Sequence, residues 1–287
     1  MQTLRAYGII AVFLVVTLVF MPYQMLNVRF KRQAARTFPW RYHRFMAKLF
    51  GIRMTVIGKP VTDEGMLIVA NHTSWLDIVI FSALTPLSFV AKSEVATWPF
   101  FSTLANLQRT VYVERQRRQA TGEARDQIRD RLLAGDTLVL FPEGTSNDGN
   151  AVLPFKSALM GASEARVDDG KGGTRAVKVQ PVSTAYVGLY GIPMGRENRP
   201  LYAWYGDMDL VPHLFEALLT GPLDVIVEFH SPMTVDDVGG RKALAAKAEA
   251  IVRRGQTRKL AGFQGPTPAE APAAQPVVAP ALAPALA

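Results

Sequence analysis

A histidine and an aspartate five residues apart could form an acid–base pair in this chain. His72 and Asp77 follow an apolar run at 66–70, typical of a short buried strand, and a helical pattern begins near Trp75. Five residues correspond to about 140° of rotation on a helix, so the two side chains meet only if His72 lies in the turn before it. The carboxylate would then accept the Nδ1 proton and leave Nε2 as an outward-facing base.

The same segment has a structural interpretation, in which Asn71 or Thr73 caps a helix and His72 is an exposed polar residue. Asp77 would then interact with the helix dipole. An isolated pair at this spacing is common by chance. A second polar segment at 141–146 also ends an apolar strand, and it favours the functional interpretation because open α/β sheets bind ligands at the carboxyl ends of their strands.

Together these segments resemble the lysophosphatidic acid acyltransferase family of glycerolipid acyltransferases. Four family motifs occur in order: N-H-x-x-x-x-D at 71–77, an extended run ending in arginine at 111–115, F-P-E-G-T at 141–145 and a strand carrying a proline at 179–182. The resemblance covers about residues 50 to 190. Motifs in this order and spacing are far more specific than any one of them alone.

The resemblance implies transfer of a fatty acyl group from a thioester to the hydroxyl of a lysolipid. His72 is then the general base and Asp77 its orienting carboxylate. No serine nucleophile is needed, because the acceptor supplies the hydroxyl, and the sequence has no G-x-S-x-G elbow. The expected co-substrate is an acyl group on acyl carrier protein or coenzyme A, with no metal and no other cofactor.

The family pattern also implies residues that bind the substrate. Gly144 would let a ligand approach the backbone, and the fork of Arg115 suits phosphate or carboxylate. Each of these residues also has a purely structural interpretation. Glu143 would be a solvated glutamate in a turn, Arg115 a surface arginine, and Pro181 an edge-strand proline. The substrate-binding residues predicted from the motifs are Arg115, Glu143, Gly144, Thr145 and Pro181, and Lys92 is added because it follows the predicted strand 87–91 and is expected to face the same site.

One position departs from the family pattern. Many members that acylate lysophosphatidic acid have arginine after F-P-E-G-T, where this chain has Ser146, so one cation for a phosphate is missing. Residues 144–159 are more similar to the branch that acylates lyso-ornithine lipid, whose zwitterionic head group has no phosphate. Lyso-ornithine lipid is therefore the predicted acceptor, with lysophosphatidic acid as the alternative.

Two other classes of protein are weighed against an acyltransferase. A lipid hydrolase would need a nucleophile or a metal, and the absence of a serine elbow and of H-E-x-x-H counts against it. A non-catalytic lipid binder would not need an intact histidine–aspartate pair.

Arginines in or beside a predicted helix at 116–134 are either a docking surface for an acidic acyl carrier protein or coenzyme A, or a solvated face with interleaved acids. They are Arg115, Arg117, Arg118, Arg125, Arg129 and Arg131.

The 287-residue chain has a net charge of +8 and no cysteine, which excludes disulfides and thiolate chemistry. Residues 1–53 contain nine Lys or Arg and no Asp or Glu, so the rest of the chain carries a net charge of −1. A basic segment confined to one end indicates membrane lipids rather than nucleic acid as the partner.

The same N-terminal segment has membrane features. Ala6–Leu26 is an uncharged apolar run long enough to cross a bilayer, although Pro22 leaves a half-inserted helix as an alternative. A signal peptide is disfavoured because no cleavage site is visible. The basic cluster at 29–36 predicts a catalytic domain on the cytoplasmic face of the cell inner membrane. An apolar stripe at 38–50 predicts an interfacial amphipathic helix on anionic lipid, with a core helix as the alternative, because a solvated face would normally carry acidic residues as well.

Strands and helices alternate from residue 52 onward, which predicts an α/β fold with a mostly parallel sheet flanked by helices on both faces. The expected domains are a membrane anchor with its basic amphipathic helix at 1–53, an acyltransferase domain at 54–262 and a disordered Pro/Ala-rich tail at 263–287. The predicted strands are 54–57, 66–70, 87–91, 110–113, 137–140, 177–184, 201–205 and 225–229, and the predicted helices 75–84, 99–106, 116–134, 155–166, 212–219 and 241–253.

Overall fold

The computed structural model describes residues 1–113, 118–168 and 172–268. The strands in these ranges are β1 (Ile52–Ile57), β2 (Met66–Ala70), β3 (Ser88–Lys92), β4 (Val111–Val113), β5 (Thr137–Leu140), β6 (Arg166–Asp168), β7 (Thr174–Ala176), β8 (Lys178–Leu189), β9 (Ile192–Pro193) and β10 (Leu223–Phe229). The α-helices are α1 (Gln2–Arg29), α2 (Ala34–Phe50), α3 (Leu76–Leu84), α4 (Phe101–Leu107), α5 (Arg118–Leu133), α6 (Leu210–Thr220), α7 (Val235–Val238) and α8 (Arg241–Leu260). Short 3-10 helices occupy Ser93–Thr97, Ser157–Glu164 and Arg199–Leu201.

The main sheet is mixed and mostly parallel, as predicted. Its eight strands run in the order β1-β10-β8-β2-β5-β3-β4, with β9 added beside β8. In the described part of the chain, β8 pairs antiparallel with β10 and β9, and the other neighbours in the order are parallel. β2 lies between β8 and β5 and is buried along its whole length. Its unbroken apolar sequence is therefore the pattern of an internal parallel strand.

Helices cover both faces of this sheet. Met66 and Ile68 of β2 belong to one hydrophobic cluster, whereas Leu67 and Val69 belong to another. Because successive strand residues point to opposite faces, the two clusters lie on opposite sides of the sheet. The first cluster includes residues of α1, α2, α3 and α6, and the second includes residues of α5 and α8. The predicted two-sided α/β architecture is thus confirmed.

Two predicted elements are wrong. The segment 201–205 is not a strand: its Tyr202 is buried and donates a hydrogen bond to the Gly221 carbonyl at 3.1 Å, so its apolar residues anchor a loop. The segment 155–166 forms the 3-10 helix Ser157–Glu164 instead of an α-helix, with a kink at Met160. Sequence patterns of short apolar runs do not distinguish such segments from regular elements.

The apolar helix α1 packs along the domain. Near one end, the Arg5 guanidinium donates to the Leu218 carbonyl of α6 at 2.6 Å, and near the other, the Gln24 amide donates to the Leu107 carbonyl at 2.9 Å. By length and composition α1 is capable of crossing a membrane. The predicted membrane anchor therefore packs against the domain that follows it.

The apolar stripe of α2 chiefly faces the protein. Met46 and Phe50 are buried in the cluster that contains α1 and α3, while Phe45 is exposed. The core-helix interpretation thus describes most of this stripe. Beyond α8, residues 263–268 of the predicted tail are described, and Thr267 donates from its backbone to Glu228 at 2.6 Å. Residues 269–287 lie outside the described ranges.

A buried aspartate joins three arginines that come from different elements. Asp136 precedes β5 and is 5 % exposed, and it pairs with Arg109 at 2.6 Å, with Arg36 of α2 at 3.1 Å and with Arg131 of α5. Burial raises the pKa of Asp136, but hydrogen bonds from Arg131 and Arg109 outweigh it, and the net pKa lies below the usual value. The carboxylate therefore stabilises the fold at neutral pH, and this contribution is lost as the pH falls through the folded-state pKa.

We expect Asp136→Asn to lower the free energy of unfolding by about 2–3 kcal/mol, because partly buried arginines lose their counter-ion. Chemical denaturation of the detergent-solubilised protein measures this change. The matched control is Asp126→Asn, since Asp126 pairs with Arg129 on the exposed side of α5, where little change is expected. Equal losses in the two variants would contradict the structural role of Asp136.

Candidate active site

His72 lies in the turn between β2 and α3, where the sequence predicts it. Its Nδ1 is 2.8 Å from Oδ2 of Asp77, which lies in the first turn of α3. The imidazole is 18 % exposed and borders a cavity. No described residue hydrogen-bonds its Nε2. The predicted contact between histidine and aspartate is therefore present, and the second ring nitrogen is available to a ligand.

The Asp77 carboxylate is completely buried and accepts four hydrogen bonds. Besides the His72 ring, its Oδ2 accepts from the backbone N–H groups of Thr73 at 2.7 Å and Ser74 at 3.0 Å. Its Oδ1 accepts from the Tyr186 hydroxyl of β8 at 2.8 Å. A carboxylate at a helix N-terminus is favoured by the N–H groups and by the dipole. Both oxygens are thus fixed, and the imidazole has one preferred orientation.

Tyr186 is a site residue that the sequence did not indicate. Burial and the neighbouring Asp77 carboxylate raise its pKa well above the usual value, so the hydroxyl stays protonated and donates. It lies 109 positions from Asp77 in sequence, and the two meet because β8 pairs with β2. No local pattern could have revealed the contact. On the same strand, the backbone of Thr184 exchanges hydrogen bonds of 2.8 and 2.9 Å with the Asn71 amide, which anchors the turn.

The F-P-E-G-T segment packs against the His72 turn. The Phe141 ring stacks on the imidazole with centroids 4.1 Å apart and an angle of 10° between the planes. Glu143 is 1 % exposed and accepts from the His72 backbone N–H at 2.9 Å, the Asn147 amide at 2.8 Å and the Leu153 N–H at 3.1 Å. Glu143 therefore holds the turn that carries His72, and its buried carboxylate is not presented to the cavity.

Desolvation also changes the acid–base properties of Glu143. Burial raises its pKa to about 7, although the three hydrogen bonds oppose the shift. Deprotonated, the carboxylate accepts all three donors, and protonation would turn one oxygen into a donor. The geometry of the His72 turn thus depends on a group that titrates near neutral pH.

Some of the other predicted substrate-binding residues line the cavity beside His72 and some do not. Lys92, Gly144 and Thr145 line the same cavity as His72, and Gly144 adopts a φ of 77° that favours glycine. Pro181 does not line it. It is buried on the internal strand β8, one residue beyond the last residue that pairs with β10. No residue of β10 therefore needs the backbone N–H that proline lacks. Arg115 lies outside the described residues.

The arginine-rich helix is likewise partly described. Arg117 and the Arg118 side chain lie outside the description. Arg125 is exposed and Arg129 is half-buried, and they pair with Asp126 at 3.3 and 3.1 Å, which is the arrangement of a solvated helix face. Arg131 is committed to the buried Asp136 network and is not available to a docking partner.

The cavity beside His72 has a volume of about 420 Å³ and mostly apolar walls. It extends from the catalytic turn to α1 and α2, so both N-terminal helices contribute to it. Its apolar lining includes Phe13, Phe20 and Met21 of α1, Phe38 and Met46 of α2, Ile78 and Val79 of α3, Leu104 and Ala105 of α4, and Leu210 and Leu214 of α6. A cavity with such walls suits a hydrocarbon chain rather than a polar ligand.

An oriented histidine at the end of a parallel strand, next to an apolar cavity and an apolar N-terminal helix, defines a membrane-associated acyltransferase that acts on lipids. Comparison with known proteins agrees with this assignment. The Acyltransferase family model matches residues 53–184. A lyso-ornithine lipid O-acyltransferase of Brucella abortus is 46 % identical over 251 residues, which cover 88 % of this chain and 93 % of the relative. The chain belongs to this acyltransferase family.

Two further relatives widen the comparison. A 1-acyl-sn-glycerol-3-phosphate acyltransferase of Neisseria gonorrhoeae is 31 % identical over 199 residues, or 69 % of this chain and 72 % of that protein. The crystal structure of the 1-acyl-sn-glycerophosphate acyltransferase PlsC from Thermotoga maritima superposes with a TM-score of 0.59 and 25 % identity, covering 88 % of this chain and 92 % of that one. The resemblance found in the sequence motifs is thus confirmed over most of the chain.

We expect Tyr186→Phe to lower kcat about tenfold with a smaller effect on KM, because Asp77 loses one of its donors and orients His72 less well. Steady-state acyl-transfer kinetics measure the change. The matched control is Tyr202→Phe, which removes a buried hydroxyl bonded to the Gly221 carbonyl outside the site. A similar loss of kcat in both variants would mean that Tyr186 contributes to stability alone.

Proposed function

We propose that this protein transfers a fatty acyl group from an acyl thioester to the free hydroxyl of lyso-ornithine lipid at the cytoplasmic face of the cell inner membrane. The observation that carries the proposal is the hydrogen bond between His72 Nδ1 and the buried Asp77, with the imidazole at the wall of an apolar cavity. The acceptor follows from the 46 % identical relative, whose name specifies lyso-ornithine lipid.

The reaction requires one proton to move twice. His72 Nε2 removes the proton of the acceptor hydroxyl as its oxygen attacks the thioester carbonyl, and Asp77 stabilises the imidazolium that forms. The tetrahedral intermediate then expels the thiolate, which takes the proton from His72 and leaves as a thiol. A new ester bond replaces the thioester bond, and the imidazole returns to its neutral form. General-base catalysis of this kind contributes about 10²–10⁴-fold.

The acyl donor is proposed to be a thioester of acyl carrier protein or coenzyme A. Its hydrocarbon chain is proposed to occupy the 420 Å³ cavity, whose apolar walls exclude water from the chain. This places the thioester carbonyl next to His72 and the acceptor beside Lys92, Gly144 and Thr145, which border the same space. Ser146 points its hydroxyl to the Trp204 carbonyl at 2.5 Å and adds no cation for a phosphate.

The membrane topology is part of the same proposal. The basic cluster after α1 supports a cytoplasmic domain by the positive-inside rule. The attachment of α1 along the domain by Arg5 and Gln24 supports a helix that enters the bilayer from one side without leaving the domain. Acceptor and enzyme then meet at one membrane surface.

A transfer assay with a labelled acyl thioester and a panel of lysolipids tests the function. We expect lyso-ornithine lipid to be acylated in preference to lysophosphatidic acid, and His72→Ala to lower kcat by about 10²–10⁴-fold. Strict preference for lysophosphatidic acid would replace the acceptor but keep the reaction class. Release of free fatty acid without transfer would instead identify a hydrolase.

We expect Ala105→Leu to shift the preference of the enzyme to shorter acyl donors, because the added carbons occupy the cavity wall at α4. Competition between thioesters of different chain length measures the shift. Ala246→Leu is the matched control, since Ala246 is an exposed alanine on α8. An unchanged chain-length profile of Ala105→Leu would show that the acyl chain lies elsewhere.

A further inference from the structure

The helix α6 presents large apolar side chains on the protein surface. Val211 in its first turn is 65 % exposed, and Met208, just before the helix, is 38 % exposed. Phe215 lies one turn after Val211 on the same side of the helix and is partly buried. Neighbouring exposed apolar residues mark interaction surfaces more often than isolated ones do.

This surface is continuous with that of α1. The ring of Tyr7 lies 5.1 Å from the ring of Phe215, and Arg5 donates to the Leu218 carbonyl at 2.6 Å. Leu4 is 79 % exposed and Tyr7 is 60 % exposed on the α1 side. The helix α1 is apolar and long enough to enter a membrane, and the adjoining side of α6 extends its exposed apolar surface.

We propose that α6 is a second membrane-contacting element, and that the lysolipid acceptor reaches His72 from the bilayer alongside it. The first part depends on the packing of α6 against α1. The second part rests on the proposed acyltransferase function. The proposed occupant of this surface is a lipid bilayer, because the exposed apolar side of α6 is continuous with the exposed apolar side of α1.

Charged neighbours define how deep α6 lies. Asp207 and Asp209 flank Met208 and are exposed, so this loop stays at the level of the lipid head groups. Glu216 is exposed too and lies five residues after Val211, about 140° around the helix. Val211 and Phe215 therefore face the hydrocarbon boundary while the carboxylates stay in contact with water.

The segment before α6 also connects this surface to the active site. The backbone N–H of Trp204 donates to the Thr73 carbonyl at 2.9 Å, and the indole N–H of the same residue donates to the Met208 carbonyl at 2.8 Å. Trp98 meets Trp204 edge to face, with ring centroids 5.8 Å apart. Tryptophan favours the bilayer interface, where its ring is in contact with acyl chains and its N–H with polar groups.

The cavity itself reaches α6. Leu210 and Leu214 line it together with Trp204 and with His72. One side of α6 therefore borders the catalytic cavity and another side is exposed beside α1. A lysolipid that leaves the bilayer next to α6 reaches His72 without passing its acyl chain through water, which would be costly for a long hydrocarbon chain.

The native chain has no cysteine, so single-cysteine variants report on one position each. The full-length variants Val211→Cys and Leu133→Cys are labelled with an environment-sensitive fluorophore and reconstituted into phosphatidylcholine–phosphatidylglycerol vesicles that contain nitroxide-labelled lipid. Leu133 is the matched control, since it is 48 % exposed at the end of α5, on the opposite face of the sheet. We expect at least threefold stronger quenching at position 211, and equal quenching would overturn the membrane contact.

A second measurement tests the acceptor route. Val211→Asp places a carboxylate in the first turn of α6, where the helix dipole favours it, so the fold is retained and circular dichroism verifies this. We expect the KM for lysolipid in vesicles to rise at least tenfold, with no change for Leu133→Asp. An unchanged KM would overturn the route even if position 211 is quenched. The quenching result does not depend on activity, so it decides the membrane contact even if the proposed function fails.

Discussion

The active site depends on a buried carboxylate whose hydrogen bonds are all supplied by the protein. Asp77 has no exposed surface, so its charge is tolerated only because two backbone N–H groups, a tyrosine hydroxyl and an imidazole compensate the loss of water. These donors come from the β2–α3 turn and from β8. The pairing of β2 with β8 is therefore a condition for the chemistry as well as for the fold.

The rest of the architecture serves this arrangement. Glu143 joins the turn after β5 to the backbone of His72, and Phe141 of the same turn stacks on the imidazole. Three parallel neighbours, β8, β2 and β5, thus position the groups around the histidine. The parallel arrangement matters because it brings their carboxyl ends to one edge of the sheet.

Local sequence was sufficient for much of this. The apolar run at 66–70 and the five-residue spacing of His72 and Asp77 predicted the strand, the turn and the hydrogen bond. Tyr186 was not predictable, because its contact depends on the pairing of strands that are far apart in sequence. The segment 201–205 was read as a strand from its short apolar run, but its buried Tyr202 anchors a loop without joining the sheet. The sequence favoured an interfacial role for α2 over a core role, although an amphipathic stripe looks the same against protein and against lipid.

The packing of α1 has a consequence for engineering. Phe13, Phe20 and Met21 form part of the wall of the cavity beside His72, so the helix proposed to attach the enzyme to the membrane is at the same time part of the proposed substrate pocket. Deleting it to obtain a soluble variant would open the pocket to solvent. Replacing it with an unrelated anchor would restore attachment but leave the pocket without a matching wall.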